Sequence, residues 1–272
     1  MSPSKPDNDA KTDTQTLSVK DIRMLRPIVF LDKKRKLSVV VQQSEIFKVD
    51  GCRLEFYTPN NVSLFVSIAH RELGQARKIH LSLLQSAIGK KSKKEIKGRN
   101  LTRLYNYFEH VQSSVIAIYT AVESLSNIAI PHDFKLERKN SKGITEVWDK
   151  HSIERWYKTS EKLSDILPKV LKIESPKELP VWSKFRCLED IRNDIIHQKT
   201  STKSETDVDS KFLRKLLEPQ IFDTIQAGFA VISYFCNKNT SHAYFPLGFG
   251  PAHVEPEEVD DLETFFTKVE DE

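Results

Sequence analysis

The clearest pattern in the chain runs from Leu101 to Ile130. Leu101, Leu104, Phe108, Val111, Val115, Ile118, Val122, Leu125 and Ala129 recur at alternating steps of three and four. That spacing lines one side of an α-helix with apolar groups. Tyr105, Ile116 and Tyr119 widen the surface, so the stretch predicts a central bundle helix rather than an exposed coiled coil, with Pro131 ending it. Ahead of it, Phe65, Ile68, Ala76, Ile79 and Leu83 put a helical period on residues 61–88, which Gly74 weakens without ending. Behind it, residues 132–147 read as a polar loop. Trp148, Ile153, Trp156, Tyr157, Leu163, Ile166, Leu167 and Val170 then predict one or two helices, with the tryptophans in the core. Phe185, Leu188, Ile191 and Ile195 predict a helix over 182–200, led in by Pro176 and Pro180. After a polar linker at 200–210, Phe212, Leu213, Leu216, Leu217, Ile221, Ile225, Gly228, Ile232 and Phe235 predict one further long helix.

The period changes only near the N-terminus. Leu37 to Val41 is a β-branched run. Glu45–Val49 and Arg53–Tyr57 flank Asp50-Gly51, a pair suited to a type I′ turn because both central residues need positive φ. Leu54 and Phe56 alternate with polar residues, so one face of this hairpin is expected to pack on helices. The expected fold class is therefore mainly α: a helical bundle with a small N-terminal β-hairpin element. Residues 1–16, nearly without apolar groups, are expected to be disordered. A small β element at 17–60, a helical bundle at 61–238, and an irregular segment with an acidic tail at 239–272 complete the division.

Charge sharpens this picture. The chain of 272 residues carries a net +4. Val254 to Glu272 holds nine acids and one base, a net −8, and residues 1–16 hold −1, which leaves +13 on residues 17–253. A body so basic suits a polyanion, nucleic acid first. The acidic tail either aids solubility or docks on a basic surface, a partner's or its own. Cys52, Cys187 and Cys236 stand singly and suggest neither a zinc site nor a disulfide framework. No apolar run approaches the roughly 20 residues of a membrane span, and a secretory signal is not seen. A cytoplasmic protein without metal or cofactor is the expectation. Cys187 reads as a small core residue.

Two clusters carry candidate chemistry. The basic connector Lys90, Lys91, Lys93, Lys94, Lys97 and Arg99 can contact a phosphate backbone by charge alone, or be a solvated loop. On the helix over 182–200, Arg192, Asn193 and His197 form the second cluster. Asn193 and His197 share a face at i and i+4, and Arg192 lies about 140° round from His197 with a side chain long enough to reach the same place. An arginine offers a planar fork to a phosphate, and a histidine titrates where it can move protons. The plainer reading makes His197 a helix-end cation and pairs Arg192 with Glu189 or Asp190 on the surface.

The run Leu188-Glu189-Asp190-Ile191-Arg192-Asn193-Asp194-Ile195-Ile196-His197 resembles the signature of HEPN domains: an arginine, a polar residue, three variable residues and a histidine. Ala121-Val122-Glu123-Ser124-Leu125-Ser126-Asn127, within Ser113–Ile130, resembles the first long core helix of that family. The likeness spans about residues 100–237 and leaves out the N-terminal β element and the tail. It implies an all-helical fold and metal-independent RNA cleavage of the toxin or phage-defence type. It assigns His197 to proton transfer, Arg192 to clamping the phosphate and Asn193 to orienting one of them. Products would be a 2′,3′-cyclic phosphate and a 5′-hydroxyl. It also implies a homodimer with a composite site, with an antitoxin or other defence-system protein as a further partner. The alternative is a non-catalytic helical module that binds a partner protein or nucleic acid.

Overall fold

A computed structural model of the chain describes residues 21–85, 95–139, 141–197, 205–239, 242–250 and 256–264, with backbone alone over 205–210. The expectations for residues 1–16 and for Lys90, Lys91, Lys93 and Lys94 fall outside them. Among the described residues the chain is mainly helical, with small sheets at its edges.

The helical body starts at Asn60. Its side-chain oxygen accepts the Ser63 N–H at 3.0 Å, capping α1 (Asn61–Ile79), and its amide donates to the Tyr244 carbonyl at 2.8 Å. A capping oxygen satisfies a backbone donor that the first turn leaves unpaired. The helix continues as a π-helical turn over His80–Leu84. Its buried stripe is Val62, Val66, Ala69, Leu73 and Ala76, while Phe65, Ile68 and Ile79 are only half-buried. Ala76 and Leu83 are buried as expected, but elsewhere the stripe shifts round the helix, where small Ala69 meets the central helix: Ser114 Oγ donates to the Ala69 carbonyl at 2.9 Å.

That central helix is α2 (Arg99–Ile128). Val111, Val115, Ile118, Val122 and Leu125 are fully buried, as the seam predicts. Leu101, Tyr105 and Ile116 are exposed, but Tyr119 is sunk to 4% exposure. Around α2 lie α1, α6 (Val181–Ile196) and α8 (Gln220–Lys238). Tyr107 on α2 donates to the Leu216 carbonyl at 2.6 Å and so holds α7 (Glu205–Leu217).

Several expectations are corrected. Residues 132–147 are not a loop throughout. β5 (Lys135–Lys139) pairs antiparallel with β6 (Thr145–Asp149), and Leu136 opposite Trp148 supplies the inward face that the surrounding charges concealed. Short α3 (Lys150–Trp156), α4 (Thr159–Glu161) and α5 (Leu167–Leu171) follow. Trp156 is 66% exposed rather than core, with the Arg155 guanidinium 5.1 Å from its ring centre. The linker at 200–210 already belongs to a helix from Glu205, and Pro219 divides α7 from α8, because proline lacks the N–H that a continuous helix would use. Cys187 is exposed and is not a core residue.

The N-terminal region forms two hairpins. β1 (Ile28–Asp32) and β2 (Leu37–Val41) pair antiparallel, and β3 (Ser44–Val49) pairs with β4 (Cys52–Tyr57) across Asp50 and Gly51, both at positive φ as a type I′ turn requires. The expected packing of β4 on helices is not seen: all of its residues are exposed, Leu54 and Phe56 at 44% each. Part of the tail is ordered too. β7 (Glu257–Val259) runs parallel to β1, making a sheet in the order β2-β1-β7.

Candidate active site on helix α6

Helix α6 is held by its apolar side. Phe185, Leu188 and Ile191 are buried, as their spacing predicts. Behind them, Gly228 of α8 sits where a Cβ would come within 2.5 Å of Ile118 Cγ1 and 3.1 Å of Leu188 Cδ2. A residue without a side chain is therefore what lets α2, α6 and α8 meet. Lys184 bonds Asp223 at 3.0 Å and Lys215 bonds Asp194 at 2.9 Å, tying α6 to α8 and α7 at the surface.

Glu189 also points inward, at 4% exposure. Its carboxylate accepts the Tyr119 hydroxyl at 2.9 Å, the Ser160 N–H at 3.3 Å and Arg186 Nη1 at 2.5 Å. Arg186 also donates to the Ser160 hydroxyl. Every group here has a partner, which is what a buried carboxylate needs. Burial pushes the Tyr119 phenol well above its ordinary range, and Glu189 adds to that, so the hydroxyl stays protonated as a donor.

Arg192 lies over the ring of Tyr119. Its guanidinium carbon is 4.9 Å from the Tyr119 ring centre, and Nη1 donates to Asn193 Oδ1 at 3.1 Å. Tyr119 stacks in turn near-parallel to Phe185, with ring centres 6.4 Å apart. The guanidinium is thus planted on a buried, hydrogen-bonded ring by a cation–π contact and one neutral hydrogen bond. The plainer alternative, in which Arg192 pairs with Glu189 or Asp190, is not seen: among the described residues it has no carboxylate within 4 Å.

His197 ends the helix, at φ −111° and ψ 57°, and its N–H donates to the Asn193 carbonyl at 2.9 Å. The helix stops here rather than near Thr200. Asn193 therefore touches both partners, Arg192 through its side chain and His197 through its backbone. Among the described residues Asn193 and His197 are exposed and Arg192 is half-buried, so the three stand on an open surface of the described helix.

Of the basic connector, Lys97 is exposed and bonded to Glu95 at 2.9 Å, and Arg99 is the exposed first residue of α2. Neither makes a described contact with Arg192, Asn193 or His197. The residue that sequence reasoning missed is Tyr119, taken there only as part of an apolar surface. A usable signal was Glu189, an acid four residues after Phe185 and so on the apolar face, which demands a buried partner. Comparison of the chain with protein-family models, curated proteins and solved structures found no match.

Proposed function

We propose that this chain is an endoribonuclease of the HEPN type, built on Arg192, Asn193 and His197. The observation that carries the reading is the Arg192 guanidinium, fixed on the Tyr119 ring and, among the described residues, without a carboxylate partner. RNA brings its own nucleophile, the 2′-hydroxyl. Cleavage then needs a group that moves protons and a fixed cation where charge develops on the phosphorus oxygens. His197 serves the first need and Arg192 the second, with Asn193 setting the guanidinium's plane. Attack of the 2′-oxygen on phosphorus forms the 2′,3′-cyclic phosphate and expels the 5′-oxygen, which leaves as a hydroxyl once protonated.

One histidine serves as acid or base but not both at once, and the open surface suits half a site. A symmetric dimer through α6 would bring a second Arg192 and His197. A toxin or phage-defence role, with a controlling partner protein, follows from the resemblance. No helix among the described residues is long and apolar enough to cross a membrane.

The test is incubation of single-stranded RNA with the purified chain in the presence of a chelator. Wild type is expected to leave 2′,3′-cyclic phosphate ends, and H197A and R192A to leave RNA intact while melting as wild type does. Full cleavage by both variants refutes the mechanism. The exposed β3–β4 hairpin favours a second reading, a helical module that binds a partner. Phe47 stacks on Phe56 with ring centres 5.8 Å apart, and Val49 and Leu54 share their face, all about half exposed. Absence of cleavage by wild type, with a partner protein protecting this hairpin from exchange, would select it.

A further inference from the structure

The turn between β1 and β2 places four bases in a row: Lys33, Lys34, Arg35 and Lys36. Tail carboxylates meet three of them. Lys33 bonds Glu258 at 2.9 Å, Lys34 bonds Asp261 at 2.6 Å, and Arg35 bonds Glu263 at 2.7 Å. These contacts are placed by backbone. The N–H of Lys33 donates to the Val259 carbonyl at 2.9 Å and that of Lys34 to the Asp260 carbonyl at 3.2 Å. Buried Asp32 accepts the Leu262 N–H at 3.2 Å and the Arg35 N–H at 2.8 Å, and Leu262 itself is buried.

The ion pairs are another matter. Glu258 and Glu263 are 60% and 77% exposed, and exposed pairs contribute little to stability. The strand, Asp32 and Leu262 hold the tail; its acidic side chains cancel the charge of the turn. A row of cations on an edge turn is what a phosphate backbone binds by counterion release. The carboxylates stand where phosphates would: Glu258 on β7, Asp261 just beyond it, and Glu263 in the helical turn that follows. Lys36, at φ 52°, makes no ion pair among the described residues.

We propose that the Lys33-Lys34-Arg35-Lys36 turn is a contact surface for the phosphate backbone of RNA, and that Glu258, Asp261 and Glu263 occupy it as a built-in competitor. RNA as the ligand rests on the function proposed above, so the readout is binding rather than cleavage. A short labelled single-stranded RNA is titrated into the full chain carrying H197A, across a salt series. Substituting E258Q, D261N and E263Q together keeps the strand and Leu262. Binding is expected to tighten at least about threefold, and the slope of log affinity against log salt to steepen by about 2, the release expected for three freed cations on a single strand. Adding K33Q, K34Q and R35Q is expected to remove both changes. The proposal is overturned if the tail substitutions leave binding unchanged. It is equally overturned if the gain survives loss of the turn bases, since overall charge would then explain it. Cleavage by wild type, with either of those results, leaves the function standing and removes only this surface.

Discussion

Arg186 and Arg192 stand on the same helix, two turns apart at most, and both are tied to Tyr119, one through Glu189 and one by its ring. Arg186 is bonded to a buried carboxylate, and that carboxylate is bonded to the Tyr119 hydroxyl and a backbone N–H. Arg192 lies on the Tyr119 ring and, among the described residues, bonds only a neutral amide oxygen. The first arginine is spent on the fold, since its charge has a partner within the chain. The second is oriented by the fold and, among the described residues, is not neutralised by it. An ion pair with a buried carboxylate commits the arginine's charge to the fold, whereas stacking on a ring fixes a cation and leaves its fork of donors open. The middle of α6 is thus a structural lock and its C-terminal end a presented surface, with Tyr119 joining them.

Perturbations should separate the two halves. The largest effect is expected from H197A, with RNA cleavage falling by about 10²- to 10⁴-fold, the usual worth of a proton-transfer group. Its thermal midpoint should match wild type, as befits an exposed helix-end side chain. E189A should act the other way. It strands the Tyr119 hydroxyl and the Ser160 N–H, and denaturant titration should show a loss of about 2–4 kcal/mol. G228A should cost about 1–3 kcal/mol by the same measurement, since a Cβ there overpacks Ile118. The smallest effects come from Tyr119 itself. Y119F keeps the ring under Arg192 and loses one hydrogen bond, costing about 1 kcal/mol with cleavage nearly unchanged. Y119L also removes the ring, and a cation–π contact worth about 1 kcal/mol should appear as a roughly fivefold slower cleavage.

Much of the helical body was legible because periodicity reports burial directly. The seam on α2 and the buried face of α6 came from spacing, and the β3–β4 turn from the backbone demands of Asp50-Gly51. What escaped reading depends on contacts between distant segments. Lys135–Lys139 carries too many charges to announce a strand, and only the pairing of Leu136 with Trp148 makes it one. The tail looks like a solvated acidic run until β1 offers it an edge. At the candidate site, the arginine, asparagine and histidine were visible as a spaced motif. The ring that orients the arginine was not, because Tyr119 and Arg192 lie on different helices and no local pattern couples them. The apolar residues of β4 misled for the opposite reason: alternation promises a face to bury, and nothing among the described residues covers it.

The most direct measurement sets the two arginines side by side. R192A and R186A are prepared together, and each is assayed for RNA cleavage and for its thermal midpoint. R192A is expected to lose cleavage by at least about 10²-fold, the scale of a lost transition-state donor, with an unchanged midpoint. R186A is expected to melt earlier and to cleave, while folded, within a few-fold of wild type. Cleavage at the wild-type rate by R192A would contradict the assignment of its unneutralised charge to the phosphate.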